Sequence, residues 1–86
     1  MEGKETSVKG IQWTPIRIKD DPDWEEFHLN LGTDHIAVWL DDNRVYRCAC
    51  LRPNGTGMVR TVTSLYKAET MDDAKHMAIA WVSREL

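Results

Sequence analysis

The chain has 86 residues, 42% of them hydrophobic and 29% charged, with a formal net charge of −3. That is the composition of one globular domain with one modest core, and it excludes both a disordered polymer and a two-domain protein. No apolar run approaches the roughly twenty residues that a bilayer span needs, the negative balance offers no bulk attraction to nucleic acid or anionic membrane, and two cysteines are too few for a disulfide scaffold.

Residues 1–10 are polar and without periodicity, the pattern of a flexible tail ahead of a single domain over 11–86. They contain no apolar leader, so a cytoplasmic setting is expected. Residues 11–19 read as a first strand, with Ile16 and Ile18 on one face and Trp13 and Arg17 on the other. Pro15 has no backbone donor, which suits an edge strand. The next stretch carries two periods at once. Asp21-Pro22-Asp23 looks like a helix start, and Trp24, Phe27, His28 and Leu31 have helical spacing, yet residues 27–31 alternate as a half-buried strand does. The reading favours a turn over 21–25 and a strand over 26–31, with Gly32-Thr33-Asp34 as a hairpin loop.

Residues 35–40 are rich in Ile, Val and Trp and predict another strand. Asp41-Asp42-Asn43 then predicts a three-residue loop with Asn43 in the left-handed region. That loop pairs Leu40 with Arg44 and collects Ile36, Val38, Leu40, Tyr46, Cys48 and Cys50 on one sheet face. A two-residue loop would instead set Ala37 and Trp39 beside the cysteines, and the sequence leaves both registers open. Residues 44–51 form the following strand, residues 52–57 a Pro-Asn-Gly turn, and residues 58–67 the last strand.

Residues 70–86 predict a helix. Thr70 serves as N-cap, Asp72 and Asp73 meet the positive end of the helix dipole, and Ala74, Met77, Ala78, Trp81 and Val82 make one apolar stripe. A helix this short is marginal alone, so the stripe must bury against the strands. The expected fold is α+β: an antiparallel four- to five-stranded β-meander with one C-terminal α-helix packed on one face.

The run Ala68-Glu69-Thr70-Met71-Asp72-Asp73-Ala74-Lys75, followed by Trp81-Val82 after short alternating strands, resembles small phage and prophage accessory proteins over residues 35–86. The resemblance implies a meander closed by a helix. It also implies a protein of the kind that binds and blocks a host enzyme, as anti-CRISPR proteins and RNA polymerase inhibitors do. It assigns a role to no particular residue.

Chemistry-bearing motifs are sparse. Cys48 and Cys50 share one side of a strand and His35 stands across the hairpin, but zinc asks for four ligands at wider spacing, so two buried apolar thiols are expected and no metal or cofactor. No nucleophile elbow, P-loop or H-E-x-x-H occurs, and the paired carboxylates suit turns and caps. The expectation is a non-catalytic protein. Charge order says more: residues 20–42 hold eight acids (Asp20, Asp21, Asp23, Glu25, Glu26, Asp34, Asp41, Asp42) and no Lys or Arg, whereas residues 44–67 hold five bases and no acid. In a meander such order becomes an acidic and a basic flank.

Four tryptophans are too many for so small a core, and Trp24, inside the acid block, is the expected partner anchor. The leading expectation is therefore a protein-binding module that docks through Asp20, Asp21, Asp23, Trp24, Glu25, Glu26, Asp41 and Asp42. The alternative is a nucleic-acid binder using Arg44, Arg47, Arg52 and Arg60 with Tyr46 and Tyr66 as stacking rings. Either a monomer or a homodimer is expected, since one helix leaves a sheet face uncovered.

Overall fold

The computed structural model describes residues 12–85, so the expected tail lies outside the described residues. Five antiparallel strands follow one another across the sheet in chain order: β1 Thr14–Pro15, β2 Glu26–Leu31, β3 Asp34–Leu40, β4 Tyr46–Asn54 and β5 Gly57–Leu65. Helix α1, Met71–Glu85, crosses back over β3, β4 and β5 on one face. The α+β meander with a closing helix is the architecture.

The local chemistry explains each boundary. β1 is far shorter than the strand expected over 11–19. Pro15 cannot donate, so pairing with β2 is limited to Thr14 opposite His28 and Pro15 opposite Phe27, with Ile16 N–H donating once more to Glu26 C=O at 2.9 Å. The chain then folds into a tight turn closed by Asp21 N–H on Ile18 C=O (3.1 Å), and a second turn follows over residues 21–24. Ile18 is left 40% exposed rather than sharing a buried face with Ile16.

Two hairpins use the same Gly-Thr dipeptide. Gly32 and Gly55 take φ of +65° and +64°, while Thr33 and Thr56 do not enter the left-handed region, as in a type II′ turn. These turns are tighter than expected. Asp34 joins β3 opposite Leu31, and β4 runs on to Asn54 instead of ending before Arg52. Pro53 is tolerated because β4 there extends past the last β3 pair, His35 opposite Leu51, and has only β5 beside it.

The β3–β4 loop has the expected length but sits one residue later. Asp41 N–H donates to Val45 C=O at 3.0 Å, enclosing Asp42, Asn43 and Arg44, and Arg44 rather than Asn43 holds the left-handed position at φ 65°. The Asp41 carboxylate fixes the loop by accepting from Asn43 N–H (2.9 Å) and Val45 N–H (3.0 Å). Leu40 therefore faces Tyr46, Val38 faces Cys48 and Ile36 faces Cys50. Moving the loop by one residue moves each partner by two, so the same side chains still share a face.

That face is the core. Ile36, Val38, Cys48 and Cys50 are fully buried beneath Ala74, Ala78 and Val82 of α1, with Met77 and Trp81 half-buried against the same cluster. Small residues on the helix let it approach the sheet closely. At its start, Thr70 Oγ1 accepts from Asp73 N–H (3.1 Å), and Asp73 Oδ2 accepts from Glu69 N–H (3.2 Å), a capping box whose return bond lands one residue before the cap. Lys75 Nζ lies 3.7 Å from the Phe27 ring centroid, tying the helix to β2. On the same side Asp34 accepts from Arg52 Nε (2.8 Å) and Nη2 (2.7 Å) in a bidentate pair. No helix among the described residues is long and apolar enough to cross a membrane.

Candidate functional site

Strand alternation sends the other side chains of β2 to β5 to the face that α1 does not cover. Cross-strand register puts Glu26 beside Trp39 and Arg47, His28 beside Ala37 and Ala49, and Asn30 beside His35 and Leu51. The direct pairing of Ala37 with Ala49 lowers the middle of this face. A hollow of about 290 Å³ results, floored by the two alanines and Leu51 and bordered by Trp24, Trp39 and Arg60.

One wall of the hollow is a continuous hydrogen-bond chain. Trp24 Nε1–H donates to Glu26 Oε1 (2.7 Å), and His28 Nε2 donates to Glu26 Oε2 (2.5 Å). His28 Nδ1 and His35 Nε2 share a hydrogen bond of 3.0 Å, with the rings edge to face at 4.9 Å and 81°. His35 Nδ1 is paired with Asn30 Oδ1 at 2.8 Å. Each ring nitrogen of the pair is engaged and Glu26 is held from both sides. The arrangement positions Trp24.

Positive charge on this face is differently placed. Arg60 is exposed, and Arg47 sits between Trp39 and Ser64 by register. The Arg47 Nε–H is buried with no hydrogen-bond partner among the described residues. An orphaned guanidinium N–H is costly and marks a place where an acceptor is wanted.

A second depression lies at the end of the sheet where the 20–26 segment meets the β3–β4 loop. Asp21, Asp23, Glu25, Asp41 and Asp42 line it together with Trp24, and Arg44 stands on its rim. The eight residues expected to form one acidic docking surface are thus divided. These six gather, Glu26 turns to the hydrogen-bond chain of the uncovered face, and Asp20 is exposed outside the depression. Asp41 is also committed to the loop backbone.

The four arginines of the alternative reading do not share a surface. Arg44 is in the loop beside the acids, Arg52 is on the helix side bound to Asp34, and only Arg47 and Arg60 occupy the uncovered face. Tyr46 packs against the core and Tyr66 is exposed beyond the end of β5, so the rings beside the two arginines are Trp39 and Trp24 instead. Strand order does sort the charges, but the Asp34–Arg52 pair and Arg44 bring acid and base together across the sheet.

The cysteines are core residues. Burial, with the charge of the neighbouring Cys50 thiol adding to it, pushes the Cys48 thiol up to about 12, and burial raises Cys50 as well. His35 is on the opposite face from both, since Cys50 pairs with Ile36. Among the described residues no group of three His, Cys, Asp or Glu is arranged to hold a metal ion. Asn54-Gly55-Thr56 matches the Asn-x-Thr acceptor pattern for glycosylation and sits at the exposed tip of the β4–β5 hairpin.

Sequence reasoning missed the His28–His35 pair and the alanine-floored hollow. The alternation of Glu26, His28 and Asn30 was the available signal, but the partner across the hairpin depends on the register. No protein-family model, no curated protein and no solved structure matches this chain.

Proposed function

We propose that the protein is a non-catalytic binding module that docks on a basic surface of a protein partner through the acidic end of its sheet. The observation that carries this reading is the gathering of Asp21, Asp23, Glu25, Asp41 and Asp42 around Trp24, with Arg44 lining the same depression. Trp24 supplies a large, half-buried ring held in place by Glu26, the kind of preordered aromatic that anchors an interface. The surrounding carboxylates steer a basic partner and raise the encounter rate.

In this reading the module acts as a phage-type inhibitor that occupies a basic, nucleic-acid-binding surface of a host protein in the cytoplasm. The test is affinity capture from bacterial lysate with the native chain and with a variant carrying Asp23→Lys, Glu25→Lys and Asp42→Lys. These three residues are exposed, so the variant keeps its fold. The expected outcome is capture of a nucleic-acid-binding protein that added DNA displaces and that the variant loses. Retention of every captured protein by the variant would remove the acidic end from the function.

A further inference from the structure

The uncovered face of the sheet has a chemistry opposite to that of the acidic end. Its one carboxylate among the described residues, Glu26, already accepts from both the Trp24 indole and the His28 imidazole. Its two guanidinium groups, Arg47 and Arg60, make no hydrogen bond or ion pair among the described residues, and Arg47 Nε is buried without an acceptor. The charge this face offers to a visitor is therefore positive, although the chain as a whole carries −3.

Arg60 lines the alanine-floored hollow together with the rings of Trp39 and Trp24, and Arg47 stands beside Trp39 across the β3–β4 pairing. Arg47 belongs to the row of Trp39, and Arg60 to the row of Leu51 four residues further along β4. At about 3.3 Å per residue the two rows are about 13 Å apart. One small anion cannot answer both, whereas a chain with repeated anionic groups and flat rings can. We infer that this face binds a short single-stranded nucleic acid, its phosphates on Arg47 and Arg60 and its bases against Trp39 and the hollow. Base–aromatic stacking tolerates any sequence, and single strands present their bases to such a platform while duplexes do not. The acidic end borders the track at Trp24 and confines the strand to the β3–β5 side.

The experiment is a titration of the full chain with a short single-stranded oligonucleotide, read by tryptophan fluorescence at several salt concentrations. Binding with quenching is expected. Two phosphate contacts predict a slope of log affinity against log salt of about −1.4, falling to about −0.7 in Arg60→Ala and in Arg47→Ala. Trp39→Leu, which keeps apolar cover and so the fold, should lose most of the quench and about tenfold in affinity. No binding at low salt overturns the inference. So do equal affinity for a duplex, for a mononucleotide or for polyglutamate, and a salt slope that both arginine variants leave unchanged. The two surfaces fail separately: Asp23→Lys with Glu25→Lys abolishes partner docking but leaves oligonucleotide affinity the same or higher, and a loss there would also overturn the inference.

Discussion

The two faces of the sheet are built on different principles although they come from the same strands. Beneath α1, the side chains of Ile36, Val38, Cys48 and Cys50 are sealed by Ala74, Ala78 and Val82 in one apolar cluster. On the other side Trp39, His28 and His35 remain half-buried, and the two histidines stand in a row of hydrogen bonds from Trp24 to Asn30. The covered face stabilises the fold. The uncovered face keeps its polar groups oriented at a surface that water still reaches, which is where recognition has to happen.

The sharpest way to break this comparison is to truncate one side chain on each face. Ile36→Ala should cost about 2–5 kcal/mol, because a fully buried branched side chain leaves a cavity that close-packed neighbours cannot fill. Trp39→Ala, although it removes more atoms, should cost only about 1–2 kcal/mol, since its ring is partly hydrated before the change. Denaturant unfolding of both variants checks the pair. Equal costs would mean that the second face is as much a core as the first.

A smaller effect is expected at the loop that sets which residues share a face. Arg44 holds φ of 65° without the freedom of glycine. Arg44→Gly should therefore stabilise the hairpin by about 0.5–1 kcal/mol, seen as a higher denaturant midpoint with an unchanged slope. The gain is less than the full left-handed penalty because glycine also loosens the unfolded chain.

The smallest effect concerns the ion pair on the helix side. The Arg52 guanidinium holds the Asp34 carboxyl below the usual carboxylate range. A carboxyl lowered by folding adds stability that is complete above its unfolded value of about 3.9 and is lost as pH falls through the lower folded value. Asp34→Asn should therefore be less stable near neutrality, and its stability measured from pH 6 downward should show a flatter acid limb that closes on the native chain at low pH. An unchanged limb would mean that the pair contributes nothing to folding.

Much of the architecture was legible from local pattern. The stripe from Ala74 to Val82, the cap at Thr70 and the alternation of Ile36, Val38 and Leu40 each follow from periods of 3.6 or 2 within a single segment, and such patterns need no knowledge of the partner. Even a loop placed one residue early kept the correct faces, because parity survives a shift of two. The acidic end was also within reach, since a meander brings residues 21–25 next to the β3–β4 loop.

What the sequence by itself determined is thus the class of each element and which side chains go together. Only the tertiary structure decided who stands opposite whom. The one-residue displacement of the β3–β4 loop to Asp42–Arg44, the tight Gly-Thr turns and the departure of the chain after Pro15 set the register, and the register brought His28 to His35, Ala37 to Ala49 and Asp34 to Arg52. It also split the arginines between the two faces. Pairing across strands joins residues remote in the chain, and a difference of one loop residue changes the partner without changing the pattern, so no local signal could have chosen it.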